Sequence, residues 1–395
     1  MKDARQRTLA ACCTAHVVQD GLLATLYVLL PVLAQAFGLS YAQVGVIRAT
    51  NNTAMAMLEI PSGVLSERLG ERTLLTFGLI CAGLGYLALT TATGFASVIV
   101  CLFVVGVGGA FQHALSSSLI STAYTGTGRR SALGVYNSAG DAGKLAFTGV
   151  FSLAMGLGVA WQGVIGGYAL IALLAAAGVL HTLLRLGAGA HPLRDVHARQ
   201  AAGTSGWGIR DRGGFAALAV IVFLDITVQS SFLTFLAFLM LDKQVPTSLA
   251  GAAVVLTLAG GMFGKFGCGF LAERYGVIRS LVVVECLTAV GIVAILLSPT
   301  LLAYALLPLL GVVLQGSSSI TYATVSDLMR GDRHTRGFAT IYAISSMASI
   351  VGPIGFGIIG DRLGLTAAML GMAIVVLLPL PLSLLLRPAL AARAA

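Results

Sequence analysis

Charged residues are scarce in this chain. Only 10% of its 395 residues are Asp, Glu, Lys or Arg, whereas soluble domains carry roughly 25%. Hydrophobic residues make up 57% of the chain, and the mean hydropathy is +0.93. This balance excludes a soluble globular protein. The natural unit of length is therefore the apolar run of about 20 residues that spans a bilayer, and twelve such runs fit.

Motifs of soluble enzymes and metal proteins are also missing. The six cysteines lie in or beside apolar segments and form no CxxC pair, so we expect neither a disulfide framework nor a zinc site. The sequence contains no HExxH, no EF-hand loop and no GxxxxGK[ST] element. We therefore expect no enzyme activity, no metal and no cofactor. Arg5 and Arg7 stand just before the first apolar run, which predicts an uncleaved N-terminus.

Positive charge exceeds negative charge, at 24 Lys and Arg against 15 Asp and Glu. A nucleic-acid-binding protein would gather this excess on one soluble face. Here the basic residues are spread over short loops between apolar runs. The pattern indicates contact with a lipid bilayer, and no nucleic-acid partner is expected.

Breaks at charged, Gly or Pro residues divide the chain into twelve predicted helical spans. Nineteen Lys and Arg residues fall on one side of these spans, two (Lys243 and Arg362) fall on the other, and three lie inside spans. Short cytoplasmic loops carry such an excess, so both termini are predicted to be cytoplasmic, at a bacterial inner membrane. The spans are 9–36, 43–62, 73–92, 96–122, 132–155, 162–184, 215–240, 249–271, 280–297, 301–325, 338–359 and 365–386.

The two halves of the chain repeat each other at an offset of 206 residues. The segment from Gly63 to Gly70 returns as the segment from Gly269 to Gly276, and at the same offset Tyr136 matches Tyr342. We therefore expect an all-α integral membrane protein of two pseudo-symmetric six-helix bundles. The predicted domains are residues 1–184 and 215–395, joined by a cytoplasmic linker over residues 185–214. Parallel repeats of this kind are typical of transporters whose halves rock around a central site.

The repeated segment resembles the signature of the major facilitator superfamily, and the resemblance covers the whole chain. The signature places a Gly before an acid–Arg pair and follows that pair with Gly and basic residues. Such a resemblance implies a gating role for this segment. In this sequence the motif consists of Gly63, Glu67, Arg68, Gly70 and Arg72, with Gly269, Glu273 and Arg274 as the second copy.

Within that superfamily the chain resembles the fosmidomycin-resistance branch of drug exporters. The resemblance rests on the run from His16 to Asp20, on Phe111-Gln112-His113, and on the run from Tyr136 to Gly140. It implies proton-coupled efflux of a drug or toxic metabolite. Family exporters usually carry a Gly-Pro element in the fifth span, where this chain has Phe147.

Ionisable residues inside spans are candidates for function, because a charge at the bilayer centre costs about 2.5 to 3.5 kcal/mol. His16 and Asp20 are four residues apart and share one face of the first span. Asp141 and Lys144 are three residues apart on the fifth span, where they can pair or line a cavity. The proton-coupling candidates are Asp20, His16, Asp225 and Asp141, and the substrate-cavity candidates are His113, Gln112, Lys144, Asn137, Gln229 and Gln315.

Glu59 and Lys265 occupy equivalent positions in the two halves. Opposite charges at such positions can bridge the bundles in one state of a transport cycle, while Lys265 can instead extend to the membrane interface.

Three functions stay open at this point. The leading prediction is a secondary transporter that moves a small molecule by alternating access, with protons as the coupling ion and a monomer as the working unit. The first alternative is a proton-coupled importer of a small organic anion. The second alternative is a non-transporting membrane sensor or assembly partner.

Overall fold

A computed structural model describes residues 2–124, 128–190, 209–329 and 334–387. Within these ranges the chain is helical apart from turns and an isolated β-bridge between Ile209 and Met329. The helices are α1 (Lys2–Phe37), α2 (Tyr41–Leu69), α3 (Glu71–Leu89), α4 (Phe95–Gly109), α5 (His113–Ala123), α6 (Gly128–Gly156), α7 (Trp161–Leu186), α8 (Arg212–Asp242), α9 (Thr247–Tyr275), α10 (Val277–Leu297), α11 (Thr300–Leu328), α12 (His334–Leu363), α13 (Leu365–Val375) and α14 (Pro379–Ser383), followed by a 3₁₀ turn (Leu384–Leu386).

The helices confirm an all-α membrane fold. Ten helical runs in the described ranges are long and apolar enough to cross a membrane. The helices α2 and α6 are 29 residues each, which is about 43 Å at roughly 1.5 Å per residue and exceeds a hydrocarbon core of about 30 Å. These two helices carry the polar residues that lower their hydropathy, among them Arg48 in α2 and Asp141 and Lys144 in α6.

Two predicted spans are not continuous helices. The predicted span 96–122 is broken between α4 and α5, where Phe111 N bonds Gly108 O and Gln112 N bonds Gly109 O in tight three-residue turns. Glycine is a poor helix former, so this glycine-rich stretch yields readily to a turn. The predicted span 365–386 is broken after Val375, just before Pro379, because proline cannot continue the backbone hydrogen bonding of a helix.

The ends of the predicted linker are helical. The predicted boundaries were residues 185 and 214, yet α7 continues to Leu186 and α8 already begins at Arg212. Gly187 ends α7 in the left-handed conformation that favours glycine, with a φ of 63°. Asp211 caps α8 by accepting a hydrogen bond of 2.9 Å from Gly214 N. Residues 191–208 lie outside the described ranges.

By its internal contacts the chain divides into two units. Unit 1 comprises the described residues of 1–37 and 50–204, and unit 2 comprises those of 38–49 and 205–395. The first turns of α2 therefore belong to unit 2, although the rest of that helix belongs to unit 1.

Glycines bring α1 and α6 close together in unit 1. A Cβ on Gly143 would collide with the backbone of Val17, and one on Gly21 would collide with the ring of Phe147. Small residues at such positions let helix backbones approach in a membrane, where van der Waals packing drives helix association. This packing brings the polar residues of α6 against those of α1.

Glycines also allow close packing of α9 against α11 in unit 2. A Cβ on Gly260 would collide with the carbonyl of Pro308, and a Cβ on Gly264 would collide with that of Val312. A buried apolar cluster around Ile221, Val222 and Leu281 joins the helices of this unit.

Candidate functional site

Asp20 lies at the centre of an ionic cluster in unit 1. The residue is 4% exposed and sits on α1, one helical turn after His16. Asp20 Oδ2 is 3.3 Å from His16 Nε2 and 3.1 Å from Lys144 Nζ, and Oδ1 is 3.7 Å from His113 Nε2. Three nitrogen groups from three helices therefore surround one buried carboxylate.

Lys144 is shared by two carboxylates. Its Nζ lies 3.1 Å from Asp20 Oδ2 and 3.2 Å from Asp141 Oδ1. The Lys144 side chain is 31% exposed, compared with 6% for Asp20 and 19% for Asp141. The structure therefore brings together the pair predicted on the fifth span and the pair predicted on the first. The Lys144 ammonium contacts both acidic partners at once.

The second histidine completes the cluster. His113 is the first residue of α5, directly after the break in the fourth span, and its ring packs edge-on to that of His16 at 5.1 Å. Its side chain is 42% exposed. The predicted cavity residue Gln112 lies beside the cluster, where its amide donates to Tyr136 Oη at 3.3 Å and to Ser116 Oγ at 3.4 Å.

Tyr136 holds His16 from two directions. Its ring stacks on the His16 ring at 4.1 Å, and its backbone carbonyl accepts a hydrogen bond of 2.8 Å from His16 Nδ1. A carbonyl oxygen can only accept, so Nδ1 carries a hydrogen. In a neutral imidazole Nε2 would then be an acceptor facing the acceptor Asp20 Oδ2 at 3.3 Å. This contact is favourable only when a proton sits between the two atoms, on either the imidazole or the carboxyl group.

Gly140 provides the space for this contact. A Cβ on Gly140 would lie 2.5 Å from His16 Nε2 and 3.0 Å from Asp20 Oδ2. Any side chain at this position on α6 must displace the His16 ring. The sequence pattern had flagged Gly140 only as part of the resemblance to exporters.

A divalent cation is the other ligand that these donors suit. The donor atoms of His16, Asp20 and His113 all lie within 4.8 Å of one another, and two imidazoles with a carboxylate are typical ligands of zinc-like metals. However, the ammonium group of Lys144 already compensates the carboxylate at 3.1 Å and would repel a metal ion. The donor set therefore fits an exchangeable proton better than a metal ion.

Unit 2 contains a second buried acidic group. Asp225 on α8 is 1% exposed, and the Ser317 hydroxyl of α11 donates to its carboxylate, with 2.9 and 2.8 Å to the two oxygens. Glu285 on α10 is 0% exposed, and neither of its carboxyl oxygens has a hydrogen-bond partner among the described residues. The two acids lie near enough for their charges to interact.

Sequence reasoning missed Glu285, although it is an ionisable residue inside a predicted span, which is the criterion that selected Asp20. It is an acid inside the predicted span 280–297.

The remaining predicted cavity residues do not join the ionic cluster. Gln229 donates to Leu314 O at 2.7 Å and Gln315 to Thr257 O at 3.4 Å, so both amides bond to backbone carbonyls in unit 2. Asn137 is exposed on α6. Glu59 is exposed in unit 1, and Lys265 is partly exposed in unit 2.

The gating motif lies at helix ends: its two copies cover the last turns of α2 and α9 and the glycine that follows each of these helices. Gly70 and Gly276, which end its two copies, have φ values of 80° and 87° that favour glycine. Arg68 and Arg274 are exposed and Arg72 is partly exposed, and the side chain of Glu67 is outside the described part of the structure.

A third copy of this spacing, Gly357 to Gly364, was missed in the sequence. Its Gly364 also has a φ of 87°. Its acid, Asp361, accepts hydrogen bonds of 2.8 Å from Tyr41 N and 2.9 Å from Ala42 N. Asp361 therefore caps the N-terminus of α2 within unit 2.

A bundle of apolar helices that buries an ionic cluster is the architecture of a membrane transporter. The chain belongs to the Major Facilitator Superfamily, whose family model matches residues 12–212 and 218–394. Membership confirms the superfamily resemblance, the transporter class and a non-enzymatic function.

Known relatives agree with this assignment. The chain is 27% identical over 370 residues to the uncharacterized MFS-type transporter YfnC of Bacillus subtilis (strain 168), covering 91% of this chain and 87% of that protein. A bacterial homologue of the human lysosomal transporter Spinster, in an inward-facing and unoccupied conformation, has a TM-score of 0.81 at 15% identity, covering 99% and 98% of the two chains. The peptide transporter POT has a TM-score of 0.75 at 14% identity, covering 98% and 94%. The two structures support the fold alone.

Proposed function

We propose that this transporter couples the export of a small molecule to protons, and that the coupling proton resides between His16 and Asp20. The observation that carries the proposal is the 3.3 Å contact between His16 Nε2 and Asp20 Oδ2, in which His16 Nδ1 is already committed to a carbonyl. Its partners are a small-molecule substrate, protons and the bilayer of a bacterial inner membrane, and it works as a monomer with cytoplasmic termini.

Proton binding at Asp20 changes the position of Lys144. The ionised Asp20 carboxylate attracts the Lys144 ammonium at 3.1 Å. Once a proton neutralises Asp20, that attraction is lost and Asp141 becomes the stronger partner, at 3.2 Å. Protonation of Asp20 therefore shifts the Lys144 ammonium towards Asp141. A substrate that binds the Lys144 ammonium or the His113 imidazole then has different affinities for the protonated and the unprotonated protein.

A substrate that needs the ionised Asp20 carboxylate and the proton that neutralises it exclude each other, which is the requirement of an antiporter. A ligand can drive a conformational change only through different affinities for the two states. Here the difference is the arrangement of one ammonium group between two carboxylates. The second buried group, formed by Asp225 and Glu285, is a further candidate for proton binding in unit 2.

Export is the proposed direction because of the resemblance to the fosmidomycin-resistance branch in the first span, the fourth span and the run from Tyr136 to Gly140. The alternative, import of a small organic anion, is supported by the exposure of two nitrogen groups of the cluster. The Lys144 and His113 side chains are 31% and 42% exposed, so an anion can reach both.

The proposal is tested by a susceptibility panel in an efflux-deficient bacterial host, over antibiotics, phosphonates and organic acids. Cells express the wild type, Asp20→Asn or Asp242→Asn at matched membrane abundance; Asp242 is an exposed acid at the end of α8 and serves as the control. Resistance that disappears only in Asp20→Asn supports proton-coupled export. Greater sensitivity from the wild type indicates import, and equal responses of all strains, with no effect of the wild type on any compound, indicate a sensor or assembly role.

A further inference from the structure

A groove in unit 1, away from the ionic cluster, runs between α1 and α7. Its volume is about 730 Å³, within the range of small-molecule and cofactor sites. Small side chains create it, because Ala10, Ala11, Ala175 and Gly178 leave the space between the two helices unfilled. Further along, Val18, Ile171 and Leu174 give the groove an apolar lining.

One end of the groove is basic. Arg7 lies near the start of α1, and Arg185 and His181 lie near the end of α7. All three are exposed, and none of the described residues that line the groove is acidic. The hydroxyl groups of Thr14 and Thr182 add polar character to the lining.

This combination matches the chemistry of one ligand class. A phospholipid has an anionic phosphate at one end, which arginine recognises with two parallel hydrogen bonds, and apolar acyl chains along the rest. Charge distribution places this end of the helices at the cytoplasmic leaflet, where anionic lipids collect and where basic pockets between membrane helices bind their head groups.

We infer that the α1–α7 groove, with Arg7 and Arg185 at its basic end, is a binding site for an anionic phospholipid. The phosphate lies between the two guanidinium groups and His181. An acyl chain lies along Val18, Ile171 and Leu174. The site is independent of the proposed proton coupling, because it shares no residue with the cluster around Asp20.

The test counts bound lipid on the full-length protein in detergent by native mass spectrometry, during titration with phosphatidylglycerol or phosphatidylcholine. Two variants remove the site in different ways. Arg7→Gln with Arg185→Gln removes the charge, and its control is Arg5→Gln with Arg68→Gln. Gly178→Leu fills the groove, and a Cβ there meets no atom within 4 Å, so the leucine side chain starts in open space. Its control is Gly167→Leu on the same helix, which is equally open and outside the groove.

We expect the wild type and both controls to retain phosphatidylglycerol in preference to phosphatidylcholine. The double arginine variant should bind it roughly tenfold more weakly or worse, since it loses both guanidinium groups that face the phosphate at the groove, whereas the control keeps them. Gly178→Leu should lose the same bound lipid. Equal retention in the variants and the wild type would overturn the inference. It would also be overturned by equal binding of the two lipids, or by displacement of phosphatidylglycerol by inorganic phosphate, which would indicate a free-anion site.

Discussion

Replacing Gly140 by Ala tests whether the contact between His16 and Asp20 is built as described. A Cβ at this position would lie 2.5 Å from His16 Nε2 and 3.0 Å from Asp20 Oδ2, so the imidazole must move. Overpacking a well-packed site typically costs about 1–3 kcal/mol. The same substitution gains about 1 kcal/mol of helix propensity, so the net expected loss of stability is about 1 kcal/mol.

Gly149→Ala on the same helix provides the matched control. A Cβ at Gly149 meets no atom within 4 Å, so only the propensity gain of about 1 kcal/mol applies. The two variants should therefore shift the thermal unfolding temperature of the purified protein in opposite directions. Gly140→Ala should also lose the resistance conferred by the wild type, while Gly149→Ala should keep it. Equal stability and equal activity of the two variants would refute the packing and the site derived from it.

Three further predictions concern the other buried charges. Lys144→Met should destabilise the protein by about 1–3 kcal/mol, less than for a fully buried pair because the side chain is partly exposed. Adding Asp141→Asn should recover part of this loss, measured by thermal unfolding. No recovery would contradict the sharing of Lys144 by two carboxylates. Glu285→Met should raise the unfolding temperature, because it replaces a buried carboxyl group without hydrogen-bond partners among the described residues by an apolar side chain. A lower unfolding temperature would show that Glu285 has a stabilising partner. Asp361→Ala should cost about 1 kcal/mol through loss of the cap on α2, measured against the exposed control Asp242→Ala, and equal unfolding temperatures would exclude the cap.

The membrane helices could be predicted from the sequence because each helix that crosses the lipid is a continuous run of apolar residues. Apolar runs of the right length identify helical spans. The span 365–386 is predicted as continuous, although Pro379 inside it already indicates the break that follows Val375. The turn before His113 was not predicted, because Gly108 and Gly109 occur in continuous membrane helices as well as in broken ones. Only the packing of neighbouring helices decides between these outcomes.

The candidate site was predictable in its members but not in its arrangement. Asp20, Lys144 and His113 stand out as ionisable groups in apolar runs. Sequence spacing can pair a residue only with another residue of the same helix. Their meeting depends on close contact of α1 and α6 at Gly140 and Gly143, and sequence alone does not define which faces of two helices touch. The same limit explains why Asn137, on the same helix, lies outside the cluster.

Tyr136 and Asp361 illustrate the parts of the structure that sequence reasoning did not supply. Tyr136 acts through a backbone carbonyl and a stacked ring, and a carbonyl at this position would exist with any residue. Asp361 bonds to Tyr41, which is 320 positions away along the chain. A motif search that allowed further copies of the GxxxDRxG spacing would have found it.

The central claim is that one proton is held between His16 and Asp20. A pH titration of the purified protein followed by infrared difference spectroscopy tests it most directly, since carboxyl and imidazole groups give separate bands. We expect a titration step that is present in the wild type and in Asp225→Asn but lost in both Asp20→Asn and His16→Gln. A step that persists unchanged in Asp20→Asn and His16→Gln would contradict the account and place the proton elsewhere.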